Sequence, residues 1–427
     1  MSAKTLLSLL SIANLVTALT CPVAGGTSND SPAILAALKQ CNNGGTVVLD
    51  KTYTIGSVLQ TDALSNIAIQ LSGTINLSTD LNYWQKNSIQ LNYQNAYTAW
   101  AIGGSNIHIY GGGSFNGGGD AWYSAGKTGP VMLTLLNAKD VLIEHINMNK
   151  SPFWHNLVDG CTNVTYSHVN MNSVQNNGKQ AQNTGIWVSS CKIPFGPVER
   201  STNPASWDTY RSSQVTIEDC TIINGDDCVS FKPNSTDIVV KNLYCQGSHG
   251  ISVGSLGQYA GQVDIVQNIY AKNITMVNAS NGARIKAWGG SPSATSTKGG
   301  GKGFVQNVTF EDFVMKNVDR PIVIDQCYMT NADSCAQYPS GVRISDIHYI
   351  DITGTGGKAS EVVNMVCSDI CNDITATGTK LVGTKGNSEY ICKNIASVDK
   401  LDFPCSATGV TVGGTSKTTK SAKSTHT

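Results

Sequence analysis

The chain has 427 residues, of which 14% are charged, with 29 Lys and Arg balanced by 29 Asp and Glu. Zero net charge and the lack of a basic stripe exclude the electrostatic attraction that nucleic acid or an anionic membrane surface requires. The chain reads as a monomer without either partner.

From the N-terminus, residues 1–20 read as an export signal. Lys4 gives the positive start, "LLSLLSIANLV" the apolar stretch, and "ALT" the small-residue end before Cys21. The apolar stretch is too short to span a bilayer. Export places the 13 cysteines in an oxidising compartment, where disulfides outrank a metal cluster. Short-range pairs are available for Cys21 with Cys41, Cys228 with Cys245, Cys327 with Cys335 and Cys392 with Cys405. Cys367 and Cys371 are further candidates, and sequence leaves the connectivity open. Asn-x-Ser/Thr sequons at Asn29, Asn76, Asn149, Asn163, Asn234, Asn273, Asn278 and Asn307 suit a secreted glycoprotein.

"SPAILAALKQC" is the clearest helix, with Ser31 expected as its cap and Pro32 in its first turn. Beyond it, short alternating runs rich in Val, Ile and Thr dominate. One phrase recurs: "SNIAIQL", "SNIHIYG", "KDVLIEH", "TNVTYSH", "SQVTIED", "TDIVVKN", "QNIYAKN", "QNVTFED", "SDIHYID". Val141 to Val164 is 23 residues, as is Val215 to Ile238, the length of one solenoid turn. An ordinary β-sandwich would not repeat a phrase in this way. The expected fold is all-β, a right-handed parallel β-helix over residues 21–408 as a single catalytic domain, with the early helix capping the open end of its apolar core. The Ser/Thr/Lys-rich tail, 409–427, is expected to be disordered.

"NGDDCVSFKP" places Asp226 beside Asp227. Alone, adjacent acids suit a solvated turn. Here His249 in "GSHGISVGSLGQY" follows Asp227 by 22 residues, about one coil. Arg284 and Lys286 in "GARIKAWGG" share a strand face one or two coils further on. Gly225 is expected to supply the bend that lets both acids reach one cleft. Two cations near a His and two acids suit a substrate that is itself a carboxylate. Trp154, His155 and Trp288 are equally suited to sugar stacking or to packing. His108, His145, His168 and His348 lie in the repeating strands and read as structural, and no metal-ligand spacing stands out.

In combination and order, "GDD", "SHG", "RIK" and the Tyr closing "VIDQCY" resemble the polygalacturonase family of glycoside hydrolases, the pectin-cleaving β-helix enzymes, over nearly all of the mature chain. The resemblance implies inverting hydrolysis of galacturonate linkages without metal or organic cofactor. It implies Asp226 as general acid, Asp227 as part of the base, and His249 as a neighbour tuning the acid. Arg284, Lys286 and Tyr328 would be ligands of the galacturonate at the cleavage point. "GSHGISVGSLGQY", "FKPNST" and "IDQCY" look more like the exo-acting branch. A rhamnogalacturonan exo-hydrolase, an endo-polygalacturonase, a pectate lyase and a catalytically impaired pectin binder are the alternatives.

One family motif is broken. Asn183 and Thr184 are present, but Gly185 stands where an Asp belongs, and an atypical segment, 185–206, precedes "WDTYRSS". It lacks alternation, contains Pro194, Pro197 and Pro204, and holds Cys191, without which twelve cysteines would form an even set. The segment reads as untranslated sequence carried into the chain. The competing readings are a rim loop in a weakened enzyme, or Asp208 as a substitute base.

Overall fold

The computed structural model describes residues 19–176, 178 and 206–413. The expected leader, Asn183 to Gly185, Cys191 and nearly all of segment 185–206 lie outside the described residues.

The recurrent phrase is the repeating unit of the fold. Its first apolar residues pair one coil with the next in a single column: Ile67, Ile107, Val141, Val164, Val215, Ile238, Ile269, Val308 and Ile347, ending at Ile374. All are buried. The pairings are parallel, and among the described residues 26 strands join into one hydrogen-bonded system. Each coil buries its apolar residues against the coils on either side, as a solenoid requires.

The polar residue that opens the phrase also has a physical cause. Asn66, Asn106, Asp140, Asn163, Asp237, Asn268, Asn307 and Asp346 all adopt left-handed backbone, with φ between 48° and 59°. Asn and Asp tolerate that conformation better than other side-chain-bearing residues. The corner is then reinforced along the axis. The side-chain amide of Asn106 donates to Asn66 at 2.8 Å, Asn163 to Asp140 at 2.7 Å, Asn268 to Asp237 at 2.7 Å and Asn307 to Asn268 at 2.8 Å.

The helix Ser31–Gln40 lies against the first coils, with Ile34, Ala37 and Leu38 buried. Its cap differs from the expectation. Asp30 occupies the cap position, and Ser31 is already helical. Asp30 spends its carboxylate on the Thr27 and Thr54 amides, while Ser31 Oγ donates to the Ser57 carbonyl. At the other end, Val410–Gly413 forms a strand antiparallel to Asn387–Ile395, so the first residues of the expected disordered tail are ordered. Their Val-Thr-Val alternation lets them pair with the exposed edge of the last coil.

Disulfides join Cys21–Cys41, Cys228–Cys245, Cys327–Cys335, Cys367–Cys371 and Cys392–Cys405. Cys161 and Cys220 are free and buried, accepting backbone N–H groups from Ala138 and Val169. Burial pushes both thiols up to about 12, so they act as small core residues. The expected even set is therefore corrected: without Cys191, two of the remaining twelve cysteines are still unpaired, and the odd count gives no argument about segment 185–206.

Candidate active site

Strand alternation and parallel register together assemble the site. Val229, Ile251, Ala283 and Ile322 pair in sequence and point into the core. The next residue of each strand therefore points outward, giving the column Asp208, Ser230, Ser252, Arg284 and Val323. Two residues beyond this outward column lie Tyr210, Lys232 and Lys286. The acids occupy the turn just before Val229–Phe231.

Gly225, expected to supply the bend, is not in left-handed backbone. The turn is held by hydrogen bonds: Asn224 Nδ2 donates to the Asp227 carbonyl at 2.9 Å, and the Asp227 N–H donates to Asp226 Oδ1 at 2.7 Å. Asp227 is buried. Lys286 Nζ donates to its Oδ2 at 2.6 Å and Ser252 Oγ to its Oδ1 at 2.7 Å. Burial alone would raise its proton affinity, but Lys286, Lys232, Arg284 and His249 outweigh that and hold the carboxyl well below the usual range. Burial pushes Lys286 down to about 8 against the pull of Asp227, so at mildly acidic pH both partners are charged.

Asp226 is half-buried. His249 Nδ1 lies 3.3 Å from its Oδ1, and the His249 N–H donates to its carbonyl at 2.8 Å, so the histidine does arrive one coil after the acids. Arg284 and Lys286 lie 5.5 and 5.6 Å from the centre of the Tyr328 ring. Arg284 Nε is buried without a hydrogen-bond partner, a donor waiting for an acceptor. Asp226, Asp227, His249, Arg284, Lys286 and Tyr328 thus form one cluster.

Asp226, Asp227 and His249 each offer a ligand atom within 4.8 Å of the others. Their setting disfavours a cation: both Asp227 oxygens already accept hydrogen bonds, and Lys286, Lys232 and Arg284 make the surroundings positive.

Asp208 has no solvent-exposed surface. Lys232 Nζ lies 3.2 Å from its Oδ1, yet neither carboxyl oxygen has a well-aligned donor. Burial pushes Asp208 up to about 7 despite Lys232, with Asp226 and Asp227 adding to the rise. To act as the substitute base expected from the sequence, Asp208 would need access to the groove that this burial denies it. The residues that sequence reasoning passed over are Ser252 and Lys232. Both follow from alternation in "ISV" and "VSFK", the same rule that paired Arg284 with Lys286.

Next to this cluster lies a second apolar group on the outer face. Tyr93, from a loop between the short strands Ile89–Gln90 and Tyr97–Thr98, stacks on Tyr210 at 4.2 Å and approaches Trp154 at 6.3 Å. Gln94 in the same loop donates to Gln258 at 3.4 Å, across 164 residues of sequence. These contacts hold the loop over the outer face, from the coils of Trp154 and Tyr210 before the acids to Gln258 in the coil after them. Trp154 is buried here, and His155 is buried with Nε2 3.1 Å from Ser173 Oγ. Trp288 donates to Ser255 at 3.1 Å and sets its edge against Tyr328. All three are buried.

The remaining histidines lie apart: His108 pairs with Glu144, His145 stacks on His168, and His348 pairs with Asp346. A depression of about 550 Å³ lined by Thr79, Asn116, Asp120, Asn149 and Lys150 includes none of the acids described above. Among the sequons, Asn29, Asn163, Asn273, Asn278 and Asn307 are exposed, while Asn76, Asn149 and Asn234 are half-buried.

Comparison with known proteins agrees with this geometry. The family model described as "Glycosyl hydrolases family 28" matches residues 45–405. An exopolygalacturonase of Cochliobolus carbonum is 42% identical over 393 residues, 88% of this chain and 83% of that protein. A probable exopolygalacturonase X of Neosartorya fischeri is 41% identical over 405 residues, 90% of this chain and 88% of that protein. Among solved structures, endo-xylogalacturonan hydrolase from Aspergillus tubingensis superposes with a TM-score of 0.76 at 28% identity, covering 92% of this chain and 99% of that one. An exopolygalacturonase from Thermotoga maritima, at 17% identity and a TM-score of 0.65, shares the fold, covering 91% of each chain. With its paired acids, their histidine and the Arg-Lys face all on a parallel β-helix, this chain belongs to family 28 of the glycosyl hydrolases.

Proposed function

We propose that this protein is a secreted exo-acting hydrolase of pectin, cleaving α-1,4-linked galacturonic acid from the non-reducing end of polygalacturonate. The observation that carries the reading is the Asp226–Asp227 turn: one carboxylate locked ionised by Lys286 and Ser252, the other half-buried beside His249, both next to cations suited to a uronate. The exopolygalacturonases above, at 41–42% identity over most of the chain, support the substrate and the exo mode. The loop of Tyr93 and Gln94, packed on Tyr210 and reaching Gln258, supports the mode as the kind of wall that would admit only a chain terminus. No helix among the described residues is long and apolar enough to cross a membrane.

In this mechanism Asp226 gives its proton to the glycosidic oxygen as the bond to the anomeric carbon breaks. Asp227 takes a proton from the water that attacks that carbon. A carboxylate has about four acceptor positions, so Asp227 can hold water while bonded to Lys286 and Ser252. His249 positions Asp226, while Arg284 and Tyr328 contact the uronate. Inversion is the family's stereochemistry. The two acids approach within 4.8 Å, closer than the roughly 6.5–9.5 Å of acids that bracket a sugar ring. The water therefore sits beside Asp227 rather than between the pair.

Polygalacturonate digestion tests the reading. Monogalacturonate from the first minutes, released as the β-anomer by NMR, is expected. A ladder of oligomers overturns exo action, the α-anomer overturns inversion, and an unsaturated ultraviolet-absorbing product indicates a lyase instead. A second reading, a pectin-binding β-helix with impaired turnover, is favoured by one observation, Gly185 in place of the family's Asp. Affinity for oligogalacturonate without reducing-sugar release would support it.

A further inference from the structure

We propose that Lys232 recognises the carboxylate of the terminal galacturonate, on the opposite side of the scissile bond from the uronate held by Arg284. The inference rests on the pectin-hydrolase reading and deepens it: both units flanking the cleaved bond would have to be uronates.

Three observations place Lys232 in this role. Phe231, Val253 and Ile285 pair in register, so Lys232 and Lys286, one residue further on, stand in the same outward column. Two strand spacings separate them, about 9–10 Å along the groove, with Lys232 at the level of the acids and toward the wall. Lys232 is only 8% exposed, and its ion pair is with Asp208 at 3.2 Å, a contact in which neither Asp208 oxygen is served by a well-aligned hydrogen bond. An ammonium carries three donors, and a buried one left with a single off-axis ion pair has capacity for an anionic acceptor. Finally, Lys232 Nζ lies 5.8 Å from the Trp154 ring, part of the cluster in which Tyr93 stacks on Tyr210. The cation therefore stands against the wall at which the exo reading would stop an entering chain, beside the first sugar.

A uronate at that position gives the ammonium a charge-assisted partner. A neutral hexose or deoxyhexose adds no anionic partner to the acids already around it, so the site discriminates by leaving donor capacity unserved. This separates homogalacturonan ends from rhamnose-bearing ends by chemistry at one residue. A sealed Lys232–Asp208 ion pair with no part in recognition is the competing reading, and binding measurements tell the two apart.

The test is calorimetric binding of digalacturonate and of its analogue with the non-reducing-end carboxyl reduced to a galactose, in a D226N background that blocks cleavage. With Lys232 present, digalacturonate is expected to bind about tenfold or more tighter than the analogue. K232M abolishes that preference while leaving affinity for the analogue unchanged, and K232R retains most of it. The double variant D208N/K232M, which buries no lone charge, is expected to lose the preference in the same way and serves if K232M does not fold. Preference surviving in either methionine variant overturns the proposal, as does equal binding of both ligands with Lys232 present. Binding of neither ligand with Lys232 present overturns the pectin-hydrolase reading itself.

Discussion

Lys286 Nζ lies 2.6 Å from Asp227 Oδ2, although 59 residues separate the two in sequence. The lysine crosses two coils to reach the acid, and both partners are buried. Removing one partner of such a pair leaves an uncompensated charge. K286M is expected to lose about 3–5 kcal/mol of stability, read by urea unfolding. The neutral pair D227N/K286M should recover a substantial part of that loss while remaining inactive. Equal stability of the two variants would mean that the ion pair is not what burial makes it.

Asp226 meets the leaving oxygen, so its loss should act on turnover rather than on binding. D226N is expected to lower kcat by about two to four orders of magnitude, with calorimetric affinity for oligogalacturonate within about threefold of the parent. A fall in affinity as steep as the fall in kcat would assign Asp226 to substrate binding.

The two buried acids give stability opposite dependences on pH. Asp208 is raised to about 7, so the folded state holds its proton more tightly than the unfolded chain. Its contribution is present at low pH and is lost as pH rises from about 4 to about 7, an effect of at most about 4 kcal/mol. Asp227 is depressed, so its contribution is present above about 4 and is lost as pH falls further. D208N should flatten the decline between pH 4 and 7 and leave the acid limb intact. An unchanged slope in that window would remove Asp208 as its cause.

Asn268 donates to Asp237 and accepts from Asn307 while its own φ is 57°. N268A loses both bonds and strains the backbone, for an expected cost of about 2–3 kcal/mol. N268G keeps the backbone comfortable and loses only the bonds, so it should be the milder change. Denaturant midpoints decide, and equal losses would show that conformation contributes nothing.

Segment 185–206 replaces the upstream carboxylate of the family motif with Gly185. Reducing-sugar release by this chain is expected to be low, and a chain lacking residues 185–206, with an Asp restored after Thr184, should exceed it by at least about tenfold. Recovery of the peptide "IPFGPVER" from the secreted protein would establish the segment as part of the mature chain and rule out its reading as untranslated sequence.

The coil itself was legible from the chain, because its determinant is local. An Asn or Asp in left-handed backbone followed by inward Ile or Val repeats with each turn, and Asn106, Asn163, Asn268 and Asn307 carry that signal openly. The acids, His249 and the Arg284–Lys286 face were readable for a related reason: with parallel register, spacing in sequence becomes position along the groove. Alternation carries Ser252 and Lys232 too, though the reading of the sequence passed over them, and it does not say what they touch. That Lys286 serves Asp227, that Asp208 is sealed from solvent, and that Tyr93 and Gln94 bring their loop onto Tyr210 and Gln258 were decided only by tertiary structure. Loop reach and burial set those contacts, and neither has a period along the chain.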